Sequence, residues 1–339
     1  MVFIIPPIYS VCQVLFYAKC GGFPQFCENM LELRKRKSMP ELPEVETIRR
    51  GLQKYIVKQK IVSIDVYCKK SFCGQITDVV GRKIEEIRRY GKALIIDLSG
   101  GTSLMIHLRM TGQLIYDGIE RYAAGHPSEN FVDKLPNKQT RVVVKLSDGV
   151  LYFNDQRKFG FVKVIPTSEV EQDEFVKKLA KEPWQMSGDE LYLKLQRHQK
   201  ACIKAVILDQ TVICGLGNIY ADEALYAAGI HPGRRAGSLS RNEVERLLKE
   251  ACEVMEKSIE SGGSTMATYV RADGSRGNYL EKFAKVFRKE GTKCPRCGAE
   301  IIKIRVAGRG THVCLKCQIL SVNTEAGAYE SSDNGGKND

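Results

Sequence analysis

The sequence predicts an α+β, multidomain chain: an N-terminal β-sandwich led by one helix, then an all-helical domain, then a small metal-bound hairpin. Three observations carry this. Short strand-like runs punctuated by glycine turns fill the first half, the apolar spacing turns helical after Pro166, and two Cys-x-x-Cys pairs stand near the end. A chain of 339 residues has room for two domains and a module.

Taken in order, residues 1–38 read as an extension foreign to the rest, unstructured or a spurious upstream translation. Its apolar runs are broken by Pro6 and Pro7, too short to span a membrane and without the basic start of a signal peptide. Arg34-Lys35-Arg36-Lys37 could arise from purine-only codons of a ribosome-binding site read through, or be an ordinary solvated basic run. Domain 39–167 opens with a helix from Pro43, with Val45, Ile48, Leu52, Tyr55 and Ile56 recurring on one face. Strand-like runs follow at 61–66, 93–98, 103–108, 141–146 and 150–165, with Gly100-Gly101 and Asp148-Gly149 as hairpin turns. Segment 120–139 lacks periodicity and reads as a surface loop.

Domain 168–290 reads as helical, with a start at Ser168-Glu169-Val170-Glu171 and helical spacing over 191–208, 219–228 and 240–261. The last of these opens with the capping box Ser240 to Glu243 and ends at Gly262-Gly263. Residues 264–279 read as a long polar loop, 291–320 as a zinc finger, and 321–339 as a disordered tail.

A net charge of +12 suits a polyanionic partner. Of the twelve cysteines only Cys294, Cys297, Cys314 and Cys317 are regularly spaced, in two pairs sixteen residues apart. That pattern fits four thiolates closing around one structural Zn2+, with no open position for an activated water. The scattered remainder suit a reduced, cytoplasmic setting.

Met39-Pro40-Glu41-Leu42-Pro43-Glu44-Val45-Glu46-Thr47 places a proline and a carboxylate directly after an internal methionine. If Pro40 becomes the N-terminus, its nitrogen is a free secondary amine able to form an iminium ion. If Met1 remains the start, that nitrogen is an amide without a usable lone pair. This opening resembles the formamidopyrimidine-DNA glycosylase family, and the resemblance extends over residues 39–318. It implies a helix-two-turn-helix second domain, DNA glycosylase and AP lyase activity toward oxidised purines, and double-stranded DNA as partner. It further implies a monomer without membrane attachment, at work in the bacterial cytoplasm near the nucleoid.

By that resemblance Pro40 is the nucleophile, Glu41 moves protons and Glu44 supports the site. Lys92, in Arg89-Tyr90-Gly91-Lys92-Ala93, and Lys204, in Ala201-Cys202-Ile203-Lys204-Ala205, contact phosphates beside the lesion, with Lys92 counted in the catalytic group. Met110, in His107-Leu108-Arg109-Met110-Thr111-Gly112, fills the space of the flipped base. Arg157 faces the orphaned cytosine, and Phe159, in Asp155-Gln156-Arg157-Lys158-Phe159-Gly160, wedges the stack. From spacing alone Met110 and Phe159 read as core residues. Asn218, in Gly215-Leu216-Gly217-Asn218-Ile219-Tyr220, holds a phosphate and caps a helix, while Arg309 at a hairpin tip grips DNA. Val286-Phe287-Arg288-Lys289 replaces the family's usual Val-Tyr-Gly-Arg, so packing there is expected to differ. Two alternatives stay open: an endonuclease VIII-like enzyme acting on oxidised pyrimidines, and a non-catalytic lesion binder if residues 1–38 stay attached.

Overall fold

The computed structural model describes residues 39–125, 134–263, 279–320 and 329–330. The expectations for residues 1–38, for most of the 264–279 loop and for nearly all of the tail lie outside the described residues.

Helix α1 (Leu42–Tyr55) forms because Pro43 suits a first turn and Val45, Ile48 and Leu52 present one fully buried stripe. Ten strands follow: β1 (Ile61–Val66), β2 (Phe72–Cys73), β3 (Ile84–Tyr90), β4 (Ala93–Leu98), β5 (Thr102–His107), β6 (Gly112–Asp117), β7 (Arg121–Gly125), β8 (Thr140–Leu146), β9 (Gly149–Asp155) and β10 (Phe161–Pro166). They build two five-stranded sheets, ordered β1-β8-β9-β6-β7 and β2-β10-β5-β4-β3. Among the described residues only the short β2–β10 pair is parallel. The α1 stripe joins the inward side chains of both sheets, among them Leu94, Ile106, Leu114, Val144 and Phe153, in one core. Strand β4 is buried on both faces, since Ile95 packs outward against Met105, Ile165, Val170 and Val176. That double burial explains its apolar run from Ala93 to Ile96.

Several expectations change here. The 120–139 segment begins with a true strand, β7, paired residue for residue with β6. Strand β3 escapes the sequence pattern because a register shift between Ile84 and Glu86 turns both Ile84 and Ile87 inward, which breaks the period of two. The 150–165 run is two strands, β9 and β10, that belong to different sheets.

In the helical part, the expected start at Ser168 is a 3-10 turn (Thr167–Gln172) before the short α2 (Glu174–Lys177). The 191–208 run divides into α3 (Gly188–Gln196) and α4 (Ile203–Ile207), because the amides of Ile203 and Lys204 bond back to Arg234 O and Pro232 O. Helices α5 (Asn218–Ala227) and α6 (Arg241–Glu260) follow, the latter with the anticipated Ser240–Glu243 capping box, and then the short α7 (Tyr279–Lys282).

Strands β11 (Ile302–Val306) and β12 (Arg309–Val313) form the terminal hairpin. Its turn is only Ala307-Gly308, both with positive φ, so Arg309 is the first residue of a strand and not a turn residue. Within the tail, β13 (Tyr329–Glu330) pairs with β11, where the sequence suggested no order. Arg288 has a φ of 60°, the left-handed backbone that suits the glycine usual at its position, and the Phe287 ring meets His312 edge-on at 4.9 Å.

Candidate active site and metal centre

Pro40 is buried immediately before α1, and Glu41, 2% exposed, begins that helix. The Glu41 carboxylate accepts from the Ile219 amide (2.9 Å) and more weakly from the Tyr220 amide (3.4 Å). Both amides lie in the first turn of α5, where free N–H groups and the helix dipole favour an anion. The sequence suggested that this helix start would hold a phosphate. Its anion is instead the protein's own carboxylate.

The glycines of Gly215-Leu216-Gly217 permit that approach. A Cβ on Gly217 would stand 2.2 Å from Glu41 Cδ, and one on Gly215 2.3 Å from Leu42 Cδ1. Gly217 is also the N-cap of α5, so Asn218 is its first helical residue and not the cap. Asn218 Nδ2 donates to Gly310 O (3.1 Å), which ties α5 to the hairpin.

Glu44 does two things. Its Oε2 accepts the Glu41 amide (2.8 Å), and its Oε1 accepts the Tyr220 hydroxyl (2.6 Å). Lys92 is buried, and its Nζ donates to Leu216 O (2.7 Å). Burial pushes the Glu41 carboxyl up to about 7, against the pull of the Lys92 ammonium and with a further push from Glu44. Burial likewise lowers Lys92, and the Glu41 charge partly restores it. Burial thus displaces both groups toward neutrality, and the Glu41 carboxyl can take up or give a proton near neutral pH.

The turn carrying Lys92 is braced from the helical domain. Arg89 makes two bonds to Glu182 (2.5 and 3.0 Å) and one to Glu46 (3.0 Å), and Glu182 also accepts the Gly91 amide (3.1 Å). Sequence reading missed Arg89, Glu182 and Tyr220 as parts of the site. Tyr220 lay within the quoted glycine motif, whereas Arg89 and Glu182 meet across 93 residues.

Lys204 departs from expectation. It is fully buried, its Nζ bonded to Asp222 (2.5 Å), Thr311 Oγ1 (2.8 Å) and Gly310 O (3.3 Å). In this conformation no part of it reaches a surface phosphate. Asp222 also accepts the His312 amide (2.9 Å), so Lys204 and Asp222 together fasten the hairpin that presents the exposed Arg309. Burial first lowers both Lys92 and Lys204, and the Arg309 charge adds a smaller push in the same direction.

Met110, Arg157 and Phe159 lie at another corner of the sandwich, on the β5–β6 and β9–β10 turns. Phe159 is 56% exposed and Met110 half-buried, and neither belongs to an apolar core, so the core reading does not hold for them. The exposed Arg157 guanidinium stacks over the Phe159 ring at 4.8 Å. His107, at the base of the first turn, accepts the Arg109 amide at Nδ1 (3.0 Å), and burial first, then Arg109 and Lys92, lower it to about 3, so its imidazole is neutral.

The Sγ atoms of Cys294, Cys297, Cys314 and Cys317 lie within 4.8 Å of one another. Four thiolates in that span match the tetrahedral edge of a zinc site, and all four donors come from protein. The Tyr226 hydroxyl, from the last turn of α5, contacts Cys294 Sγ at 3.2 Å. One helix therefore touches the buried carboxylate at its start and the metal ligands at its end.

A two-sheet sandwich, a helical domain and a four-cysteine hairpin meeting at a buried carboxylate define a helix-two-turn-helix protein with a zinc finger. Three family models match in that order: the formamidopyrimidine-DNA glycosylase N-terminal domain over 39–162, its H2TH domain over 179–270, and the zinc finger found in FPG and IleRS over 291–319. Proteins named formamidopyrimidine-DNA glycosylase from Desulfitobacterium hafniense and Pelotomaculum thermopropionicum are each 40% identical, over 291 and 290 residues, spanning 83% of this chain and 100% and 99% of theirs. Among solved structures, a Lactococcus lactis FPG variant with Fapy-dG containing DNA has a TM-score of 0.74 at 37% identity. The Lactococcus lactis protein bound non-covalently to AP-site DNA has 0.72 at 36%, and each comparison covers 83% of this chain and 100% of the other. The chain belongs to the formamidopyrimidine-DNA glycosylase family.

Two outcomes follow from this geometry. Metal analysis should find one zinc per chain, and chelation should lower the melting temperature, since the ligands close the hairpin. Gly217→Ala should cost about 1–3 kcal/mol in denaturant unfolding, because the new methyl overlaps Glu41 and α1 must shift; an unchanged midpoint would refute the packing described.

Proposed function

We infer that this protein is a bifunctional DNA glycosylase and AP lyase that removes formamidopyrimidines and 8-oxoguanine from double-stranded DNA and then cuts the strand. The observation that carries this reading is the Pro40–Glu41 pair, buried against the start of α5, in a chain of this family.

In the proposed sequence the neutral Pro40 nitrogen attacks C1′ of the flipped nucleotide, the base departs with the C1′–N bond electrons, and the proton shed by the Pro40 nitrogen neutralises the departing base. Glu41, protonated up to about 7, delivers its proton to the ring oxygen as the sugar opens. The iminium so formed acidifies C2′, and successive β- and δ-elimination expel the 3′ and 5′ phosphates. Glu44 keeps Glu41 in place through the helix start and Tyr220. Lys92, Asn218 and Arg309 bind the phosphates beside the lesion, while Lys204 contributes through the hairpin it anchors. Met110 fills the vacated stack, Phe159 wedges it and Arg157 faces the orphaned cytosine. Zinc, when bound, would supply rigidity to the hairpin.

The chemistry requires Pro40 to be N-terminal, so the active form begins there and an unprocessed chain from Met1 binds lesions without turnover. A related Lactococcus lactis structure contains DNA with an oxidised pyrimidine, which supports a lesion range wider than purines. The relatives are bacterial, and among the described residues no helix is long and apolar enough to cross a membrane. We place the protein as a monomer in the cytoplasm, at the nucleoid.

A form starting at Pro40 should give a borohydride-trapped covalent adduct with 8-oxoguanine or abasic DNA, and the Met1 form none through Pro40. A full-length protein that traps equally well, with the crosslink mapped elsewhere, overturns the mechanism. Excision should follow a bell in pH, because Glu41 loses its proton through about 7 while an α-amino group becomes neutral only near ~8. Glu41→Gln should remove the alkaline limb when trapping is measured on a preformed abasic site.

Met110→Ala and Phe159→Ala should lose duplex excision with little change in melting, since neither fills a core. Arg309→Ala should weaken binding to all sequences and reduce the salt slope of log K by about 1, with zinc retained.

A further inference from the structure

The two turns proposed to enter DNA are parts of one mechanical unit. Strand β5 lies in one sheet and β6 in the other, so residues 108–111 cross the sandwich, and residues 156–160 cross back from β9 to β10. The strands flanking them are mutual partners: Gly112 pairs with Asp155, and His107 with Phe161. Each crossing holds a cation in left-handed backbone directly before its insertion side chain, Arg109 (φ 51°) before Met110 and Lys158 (φ 58°) before Phe159. Left-handed backbone in a non-glycine residue costs free energy and persists only when its surroundings impose it.

The Arg109 amide donates to His107 Nδ1 (3.0 Å), and one buried carboxylate ties the two crossings together. Asp155 has 0% exposure, and its Oδ1 accepts from the Thr111 hydroxyl in the first turn and from the Arg157 amide in the second (3.1 Å). Its Oδ2 accepts the Gly160 amide (2.7 Å). The Thr111 oxygen also accepts the Arg157 amide (3.0 Å), which closes a three-membered knot between the turns. Behind it, Arg141 Nε donates to Asp155 O (2.7 Å). The second turn is pressed on the first as well, since a Cβ on Gly160 would stand 2.9 Å from His107 O.

We propose that Asp155, acting through the Thr111 hydroxyl, is the positioning residue that aims Met110 and Phe159 as one rigid wedge. The inference rests on the function proposed above and deepens it. Two independent turns would each have to be ordered on DNA, whereas a tied pair is ordered on folding. Charged-acceptor bonds to buried amides suit this task, because no rotamer change can release them without leaving a charge unpaired.

The test compares wild type, Thr111→Ala, Thr111→Ser and Asp155→Asn in the form that proves active. Three readouts are needed: single-turnover excision from a lesion duplex, borohydride trapping on a single-stranded abasic oligonucleotide, and the fluorescence change of 2-aminopurine beside the lesion. The single strand offers no stack to wedge. We expect Thr111→Ala and Asp155→Asn to lower duplex excision by roughly 10- to 100-fold, as a misplaced positioning group does. Trapping should fall far less, the fluorescence amplitude should collapse, and Thr111→Ser should restore both. If Asp155→Asn fails to fold, the Thr111 pair decides alone. Duplex excision equal to wild type in Thr111→Ala overturns the inference, as does a parallel fall in trapping that serine does not rescue. A wild type that neither excises nor traps overturns this inference and the functional reading together, whereas an active wild type matched by Thr111→Ala overturns only this one.

Discussion

The contact on which the arrangement depends is the Glu41 carboxylate against the first turn of α5. It joins the start of the first domain to the second across 178 residues. Left alone in an apolar interior, a carboxylate would cost several kcal/mol to ionise. Two backbone amides, a helix dipole and the Lys92 ammonium offset that cost without removing it, and the carboxyl remains displaced upward. A group balanced in this way can hold or release a proton with little change in free energy. The same contact requires Gly217, because no side chain fits between α5 and Glu41.

Helix α5 acts as a spine for three attachments. Its amides hold Glu41, Asp222 in its middle fastens Lys204 and the hairpin, and Tyr226 reaches a zinc ligand. Glu223 adds a fourth tie by accepting the amides of Lys285, Val286 and Phe287, which fixes the chain entering the zinc module. Ten residues of helix thereby relate the proton-moving group to the metal-closed hairpin with no flexible link between them. Lys204 is informative in this setting. A buried lysine is tolerated only with a partner, and Asp222 supplies one, so its charge serves the seam, whereas Arg309 on the hairpin stays exposed.

The parts legible in the sequence were those with local signals. The capping box at Ser240, the paired Cys-x-x-Cys spacing and the α1 stripe are each written within a few residues, and the structure places them as read. Strand β3 was illegible because a bulge rephases its inward residues, and β7 because Arg121-Tyr122-Ala123-Ala124-Gly125 owes its order to pairing with β6. The site followed the same division. Pro40, Glu41 and Glu44 sit in one peptide and could be named, whereas Arg89 with Glu182 and Thr111 with Asp155 become partners only when distant strands and helices meet. Asn218 is the first residue of α5 and not its cap, and Lys204 is buried against Asp222 and Thr311, since spacing cannot say whether a polar side chain faces water or a neighbouring domain.

The same reasoning separates the two kinds of polar group in this protein. Those at the seams, Glu41, Glu46, Asp155, Glu182, Asp222 and Glu223, are acidic and largely buried, each accepting backbone amides or holding a basic partner. The cations left exposed, Arg157 and Arg309 among them, stand on turns and strand ends that those acids hold in place. Where the positive charge is displayed is therefore an outcome of architecture as well as composition. These six acids are taken inward as fasteners, where amides and basic partners stabilise their charge. A polyanion approaching this surface meets guanidinium groups already oriented by buried carboxylates, so less ordering remains for the moment of binding.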